Sequence, residues 1–364
     1  MNLRASDYLL CRLAHRAPGA LKLIGDMETD FLRRRLDRIS IDRPIFITGL
    51  ARSGTTILLD LFSRLEPVGT HRYRDFPFLF APWWWSWWND RAGRAEGPVE
   101  RPHKDRIKIT KDSPEAFEEP IWRYFFPFLN DPTALHVLTA NDTDERFDTF
   151  FEDHVRKVLL LRGKTRYVSK GNYNLTRLRY LARLFPDARF VVPIRHPVDH
   201  VGSLVRQHRL FTSYSDDDPR VPEYLRAAGH FEFGPQRMPI NVDPEASARI
   251  TKAWADGDDP TGYAISWRAV YAHVDEAARE DALAGRVMFV RYEDFCARPS
   301  TVIGELLRFC GLGKGAELGR ALARVSAPCG GAGSDAFAAQ VWREVRPVAE
   351  RFGYDERRVA PAYR

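Results

Sequence analysis

No run of 18 apolar residues occurs in this chain, so no membrane-spanning helix is expected. The opening stretch MNLRASDYLLCRLAHRAPGALKL is broken by Arg and His and has no continuous signal-peptide core, which argues against export. Cysteine is scarce. Cys11, Cys296, Cys310 and Cys329 form no CxxC pair, and none sits beside a His at metal-ligand spacing. Reduced thiols in a cytoplasmic protein are the expectation. There is no HExxH and no carboxylate cluster at ligand spacing, so no metal is expected. Charge of one sign is also lacking. Lys and Arg number 55 against 49 Asp and Glu, a balance of +6 with no separate basic tract. That excludes nucleic acid as the expected partner while leaving room for a small anionic ligand. No internal repeat is visible, and a chain 44% hydrophobic and 29% charged is neither disordered nor fibrous.

What is present reads as one α/β unit of 364 residues. Residues 1–42 form a helical N-terminal extension, with the run over 1–40 broken at Pro18-Gly19. A core over 43–312 follows, then a C-terminal segment over 313–364. Strands are expected at Pro44–Thr48, Arg166–Ser169, Arg189–Ile194 and Arg286–Arg291. Helices are expected at Ile57–Leu65, Thr176–Phe185, Val198–Leu210, Tyr263–Leu283 and Thr301–Cys310. Strands separated by helices imply a central, mainly parallel sheet flanked by helices. Two stretches break this rhythm: 76–130, rich in Trp and Pro, and 211–260, rich in Asp, Pro and Gly. They read as long lid or binding loops. Pro328–Asp335 (PCGGAGSD) reads as a hinge or ligand loop.

The clearest chemical signal is Gly49-Leu50-Ala51-Arg52-Ser53-Gly54-Thr55-Thr56, set between an apolar strand and an amphipathic helix. It has the outline of a P-loop with Thr55 in place of the lysine. Backbone amides from Arg52 to Thr56 can form an anion nest, the helix start near Gly54 adds partial positive charge, and Thr55 and Thr56 add hydroxyl donors. A triphosphate would be poorly neutralised without the lysine. Arg52 instead supplies a permanent, forked charge suited to one phosphate beside a reacting group. A second anion claw is expected at Arg195, which follows a buried strand at its carboxyl end, with Ser203 early in the next helix.

PIFITGLARSGTTILLDLF resembles the 5′-phosphosulfate loop of sulfotransferases that use 3′-phosphoadenosine 5′-phosphosulfate (PAPS). FPDARFVVPIRHPVDHVGSLVRQH resembles their 3′-phosphate motif, an Arg at a strand end and a Ser eight residues later. VRYEDFCARPSTVIGELLRFCGL resembles their Tyr-Glu-Asp strand exit and closing helix. The resemblance covers about residues 43–312. It implies a P-loop-like sulfotransferase architecture, PAPS as co-substrate without metal, and donor binding by Arg52, Ser53, Gly54, Thr55, Thr56, Arg195 and Ser203. The implied reaction is in-line transfer of a sulfonyl group to an acceptor hydroxyl or amine, leaving adenosine 3′,5′-bisphosphate.

Such a transfer needs a base at the acceptor. Asp75 in HRYRDFPF is the first choice, in the place where several sulfotransferase subfamilies carry Glu. His71 is second. Glu118 and Glu119 in SPEAFEEPIW are third, by likeness to some sugar sulfotransferases. Lys170, at the end of the RYVS strand, is expected near the acceptor side, where it could steady charge on the sulfonyl group. Trp83, Trp84, Trp85, Trp87 and Trp88 fall within six positions. Three readings stand for them: packing beneath a lid, stacking on a sugar or apolar acceptor, or contact with a membrane surface or another subunit. The acceptor class stays open among small molecule, carbohydrate and lipid. The alternatives to transfer are a P-loop small-molecule kinase, against which the missing lysine argues, and a non-catalytic nucleotide- or membrane-binding module on the same fold.

Overall fold

The computed structural model describes residues 3–91, 97, 99–100, 103, 108–315, 318–322 and 334–356. Most of the loop expected at Pro328–Asp335 lies outside the described residues.

The extension forms α1 (Ala5–Arg16) and α2 (Pro18–Leu36), with Pro18 at the first position of the second helix. Strand β1 (Ile45–Ile47) runs through the loop into α3 (Thr55–Ser63), and the short β2 (Val68–Gly69) follows. The Trp-rich stretch holds helix α4 (Pro82–Arg91), a small antiparallel pair of β3 (Val99–Glu100) and β4 (Lys108–Ile109), and α5 (Glu119–Phe125). Next come α6 (Glu145–Arg162), β5 (Arg166–Lys170), α7 (Leu178–Leu184), β6 (Arg189–Ile194) and α8 (Pro197–Asp217). The second excursion also carries helices, α9 (Val221–Ala227) and α10 (Pro244–Ala255). Long α11 (Asp259–Ala278) leads to β7 (Val287–Arg291), then α12 (Tyr292–Ala297), α13 (Pro299–Cys310), α14 (Leu318–Leu322) and α15 (Asp335–Ala349).

The sheet order is β2-β5-β1-β6-β7, and every pair in it is parallel. Side chains alternate across it with period two. Phe46, Tyr167, Phe190, Val192 and Ile194 pack on one face with α6, α7, α8, α11 and α15. Ile45, Ile47, Val168, Val191 and Val290 pack on the other with α3, α12 and α13. Both faces are covered, as parallel sheets require, and this explains why β1 and most of β6 read as apolar runs.

This arrangement fixes where a ligand can go. The chain leaves β1 into α3 on one face and leaves the adjacent β6 into α8 on the opposite face. Neighbouring strands with oppositely directed exits open a crevice at their carboxyl ends, the usual ligand position in open α/β sheets. Pro193, which has no N–H to offer, lies beyond the last β1 residue paired with β6, at this crevice.

Two expectations need revision. The 76–130 and 211–260 stretches are not irregular throughout: among the described residues they hold α4, α5, α9 and α10. Helix α10 starts at Asp243, whose carboxylate accepts from the Glu245 and Ala246 amides, and it buries Ala246 and Ile250. The Asp and Pro that look like loop residues are helix-start residues there.

Candidate active site

The loop after β1 is built by close approach. Thr48 N–H continues the pairing to Val191 O at 2.9 Å, and the Thr48 hydroxyl donates to Gly171 O at 2.7 Å. A Cβ on Gly49 would sit 2.7 Å from Ser53 Oγ and 2.9 Å from Pro193 O, so only glycine fits. Arg52 (φ +73°) and Gly54 (φ +106°) both take the left-handed conformation, and they bracket Ser53. Such alternation turns successive amides to one side and makes an anion-binding concavity. Gly54 is the N-cap of α3 and supplies no side-chain cap, so the first amides of that helix face the loop without one. The Tyr292 ring packs against Gly54, where a Cβ would meet it at 2.7 Å. The tyrosine of the third motif therefore forms one wall of the loop, a contact between residues 238 positions apart that no local spacing signals.

A second arm meets the loop from β6 and α8. Arg195 is buried, its guanidinium lies 5.4 Å from the Tyr292 ring centroid, and its Nε has no hydrogen-bond partner among the described residues. Ser203, also buried, accepts from Arg52 Nε at 3.3 Å. Arg206, one turn of α8 further on, has its pKa drawn down by burial and by the neighbouring Arg195. His200 Nε2 donates to Ala51 O at 2.8 Å, and burial, followed by the charges of Arg195 and Arg52, lowers its pKa to about 3. It is a neutral strut under the loop. Glu293 accepts from the His196 amide at 2.8 Å and from the Tyr354 hydroxyl at 2.9 Å, which ties the start of α8 to the Tyr-Glu-Asp segment.

A buried polar floor lies at the end of β5. Lys170 Nζ stands 3.2 Å from Thr56 Oγ1 and 2.9 Å from Glu115 Oε1. The other oxygen of Glu115 accepts from the Tyr73 hydroxyl at 2.5 Å. Glu115 and Lys170 are both buried. Glu115 is held by its amide, which donates to His71 O at 3.1 Å, inside a pairing that also joins Tyr73 N to Ser113 O at 3.0 Å. Sequence reasoning passed over Glu115 in favour of the Glu118-Glu119 pair three residues later.

The expected bases occupy other surroundings. Asp75 is fully buried, with Arg162 at 2.5 Å, the Arg72 amide at 2.9 Å and His71 Nδ1 at 3.1 Å. Burial pushes its pKa up, but the His71 hydrogen bond and the Arg162 charge outweigh this and hold it below the usual carboxylate value. The other ring nitrogen of His71 meets His154 Nε2 at 2.9 Å. Glu118 is raised by burial and takes the Tyr167 hydroxyl. Glu119 is paired to Arg123 and Arg177, each at 2.7 Å. Among the described residues no group of three or more His, Cys, Asp or Glu could hold a metal ion.

The tryptophans lie around α4 and meet different neighbours. Trp85 Nε1 donates to Arg74 O at 2.9 Å, and its ring lies 4.3 Å from that of Phe78. Trp83 and Trp84 each lie 6.1 Å from Phe31 of α2. Trp87 and Trp88 are about half exposed, with the Arg91 guanidinium 3.7 Å from the Trp87 centroid.

A family model described as "Sulfotransferase family" matches residues 44–238. Among solved structures, a sulfotransferase from Mycobacterium avium is 12% identical, covering 90% of this chain and 81% of its own, with a TM-score of 0.50. A sulfotransferase from Mycobacterium tuberculosis is 18% identical over 91% of this chain and 81% of its own, with a TM-score of 0.47. At these identities the likeness speaks to fold alone. No curated protein sequence matches the chain.

Proposed function

Because this chain belongs to the sulfotransferase family, we propose that it moves the sulfonyl group of PAPS onto an acceptor hydroxyl by in-line displacement. The observation that carries this reading is the single ammonium of Lys170, which touches both Thr56 at the start of α3 and the buried carboxylate Glu115. One group thus links the anion loop to a candidate base.

In this reading the 5′-phosphosulfate lies in the nest of Arg52, Ser53, Gly54, Thr55 and Thr56. Arg195 and Ser203 take the 3′-phosphate, with the bare Nε of Arg195 available to it. Glu115 accepts the acceptor's proton as its oxygen attacks sulfur. The bond from sulfur to the bridging oxygen breaks, and the charge gathering on the leaving phosphate is met by Arg52, Lys170 and the α3 amides. These groups are oriented before the reaction, so little reorganisation is required when charge moves.

Glu115 is our base in preference to Asp75, His71 or Glu118, because its partner Lys170 also touches Thr56 of the anion loop, whereas Asp75 is paired with Arg162, His71 with Asp75 and His154, and Glu118 with Tyr167. Asp75 and His71 are positioning residues that hold the segment on which the Glu115 amide rests. The reaction belongs in the cytoplasm, where the buried free thiols of Cys11, Cys296 and Cys310 would stay reduced. Membrane-surface contact through α4 is supported by the exposed Trp87, Trp88, Met27 and Phe31, with Arg35 lying 5.7 Å from the Trp83 ring centroid. No helix among the described residues is long and apolar enough to cross a membrane.

The test is incubation with radiolabelled PAPS and a panel of hydroxyl acceptors, together with titration of adenosine 3′,5′-bisphosphate. Absence of both label transfer and bisphosphate binding would sink the reading. Magnesium-dependent ATP binding would favour a kinase instead, and bisphosphate binding without turnover a non-catalytic module.

A further inference from the structure

The N-terminal helices roof a chamber of about 570 Å³ that lies outside the donor crevice. Ala14 and Leu21 line it from α1 and α2, Phe76, Leu79 and Phe80 from the segment before α4, and Met238 from the second excursion. The volume falls within the range of about 300–1,000 Å³ that small-molecule sites occupy.

Two walls of this chamber back onto the buried polar floor at the end of β5. Phe76 stacks on Phe117 at 5.3 Å, Phe117 meets Tyr73 edge-on at 5.8 Å, and the Tyr73 hydroxyl donates to Glu115. On the other side, the amide of the lining residue Phe231 donates to the Tyr173 hydroxyl at 3.0 Å, three residues beyond Lys170. The rings of Phe76, Phe117 and Tyr73 therefore lie in series between the chamber and the proposed base.

Much of its polar lining is already engaged, although Arg237 Nη1 is buried with no partner among the described residues. Arg123 donates to Glu119, to Leu129 O and to Asn130, and Arg237 is paired with Asp259 at 2.6 Å. A sugar body would bring many hydroxyls to a wall with few groups left to meet them, and each buried unpaired polar group is costly. A hydrocarbon body needs no partners there. At the rim, His15, Arg226 and Gln236 give a polar edge.

We infer that this chamber holds the apolar body of the acceptor. The acceptor is then an amphiphilic alcohol whose hydroxyl reaches Glu115 past Phe76, Phe117 and Tyr73, and α1 and α2 set its specificity. The inference rests on the sulfonyl-transfer reading for the role of the hydroxyl, but occupancy of the chamber can be measured without it.

The experiment uses the full chain and radiolabelled 1-alkanols from butanol to dodecanol in equilibrium dialysis. Affinity should rise about three- to fourfold per added methylene until the chamber is filled. Ala14→Phe on α1 and Ala227→Phe on α9 should each weaken the longest alcohol by tenfold or more and flatten the series. Their thermal midpoints and bisphosphate affinity, compared with the unmodified chain, show that they fold. A flat series in the unmodified protein overturns the inference, as does an unchanged slope in both filled variants. If the alcohols bind with the expected slope but accept no label from PAPS, the chamber assignment stands and the transfer reading fails.

Discussion

Arg52 Nε and Ser203 Oγ, 151 positions apart, meet at 3.3 Å across the crevice between β1 and β6. The loop guanidinium is thereby steered by the helix proposed to hold the 3′-phosphate, so both ends of one donor are bound by connected residues. Arg52→Ala should cut kcat/KM for transfer by about 10²–10³, the usual cost of removing a donor aimed at developing charge. Arg52→Lys should recover little of this, because an ammonium cannot bond to Ser203 and a phosphate with a fixed fork. Steady-state kinetics with labelled PAPS provides the comparison, and full rescue by lysine would count against the forked role.

Arg195 should act on the other phosphate. Its Nε is buried without a partner among the described residues, and its guanidinium lies beside Tyr292 rather than a carboxylate. Arg195→Ala should reduce affinity for adenosine 3′,5′-bisphosphate by about 10- to 100-fold, the worth of a charged hydrogen bond. It should leave adenosine 5′-monophosphate nearly unaffected. Calorimetric titration of both ligands gives the ratio, and a ratio equal to that of the unmodified chain would reject the role.

Glu115 and Asp75 should fail in different ways. Glu115→Gln keeps the shape and removes the proton acceptor, so kcat per folded molecule should fall by about 10²–10⁴, and loss of the buried pair with Lys170 should lower the thermal midpoint as well. Asp75→Asn breaks a buried pair with Arg162, and stability should fall by about 3–5 kcal/mol. Chemical denaturation beside turnover measurements separates the two. If Asp75→Asn abolishes turnover in a chain of normal stability, the base is Asp75.

The donor side of this site is legible in the sequence because its residues are local: Gly49 to Thr56 span one turn, and Arg195 and Ser203 lie on one strand end and the helix after it. The acceptor side is assembled from a distance. Glu115 becomes a candidate only through the pairing of residues 71–73 with 113–115, and Asp75 is claimed by Arg162, 87 positions away. Neither relationship leaves a spacing to read. The helices inside the excursions were hidden differently, since Asp243-Pro244 and Asp258-Asp259-Pro260 punctuate loops and open helices alike.

Acid should weaken the fold before it protonates ordinary carboxylates. His200 is buried with a pKa near 3, His273 is lowered by burial to about 4, and His154 lies well below its usual value. Each stays neutral in the folded chain but takes up a proton near pH 6.5 when unfolded. Stability from these groups is fully present above pH 6.5 and is lost as pH falls toward 4, by about 1.4 kcal/mol per pH unit per histidine. Burial raises Glu118 and Glu28, whose contribution has the opposite sign and is lost as pH rises through their folded pKa. Urea midpoints at pH 7.5, 6.5 and 5.5 should therefore fall steadily. In His200→Gln, which can still donate to Ala51 O, the slope should be shallower by about one proton. An unchanged slope would mean that His200 is not held neutral.

The outer side of the N-terminal region carries the last prediction. Met27 and Phe31 lie four positions apart on α2, Phe31 reaches Trp83 and Trp84, and Trp87 continues that side of α4 one turn on. Arg35 and Arg91 lie against Trp83 and Trp87. Indole rings bordered by arginine suit the boundary between headgroups and acyl chains. The full chain should co-sediment with vesicles containing phosphatidylglycerol more strongly than with phosphatidylcholine alone, by about fivefold for each arginine that reaches the surface. Salt should weaken this preference. Phe31→Asp should abolish sedimentation, because it places a carboxylate in the middle of the apolar strip, whereas Asp60→Asn on α3 should not. A concentration-dependent dimer that disappears in Phe31→Asp, with no vesicle binding by the unmodified chain, would assign the strip to a second copy of the protein instead.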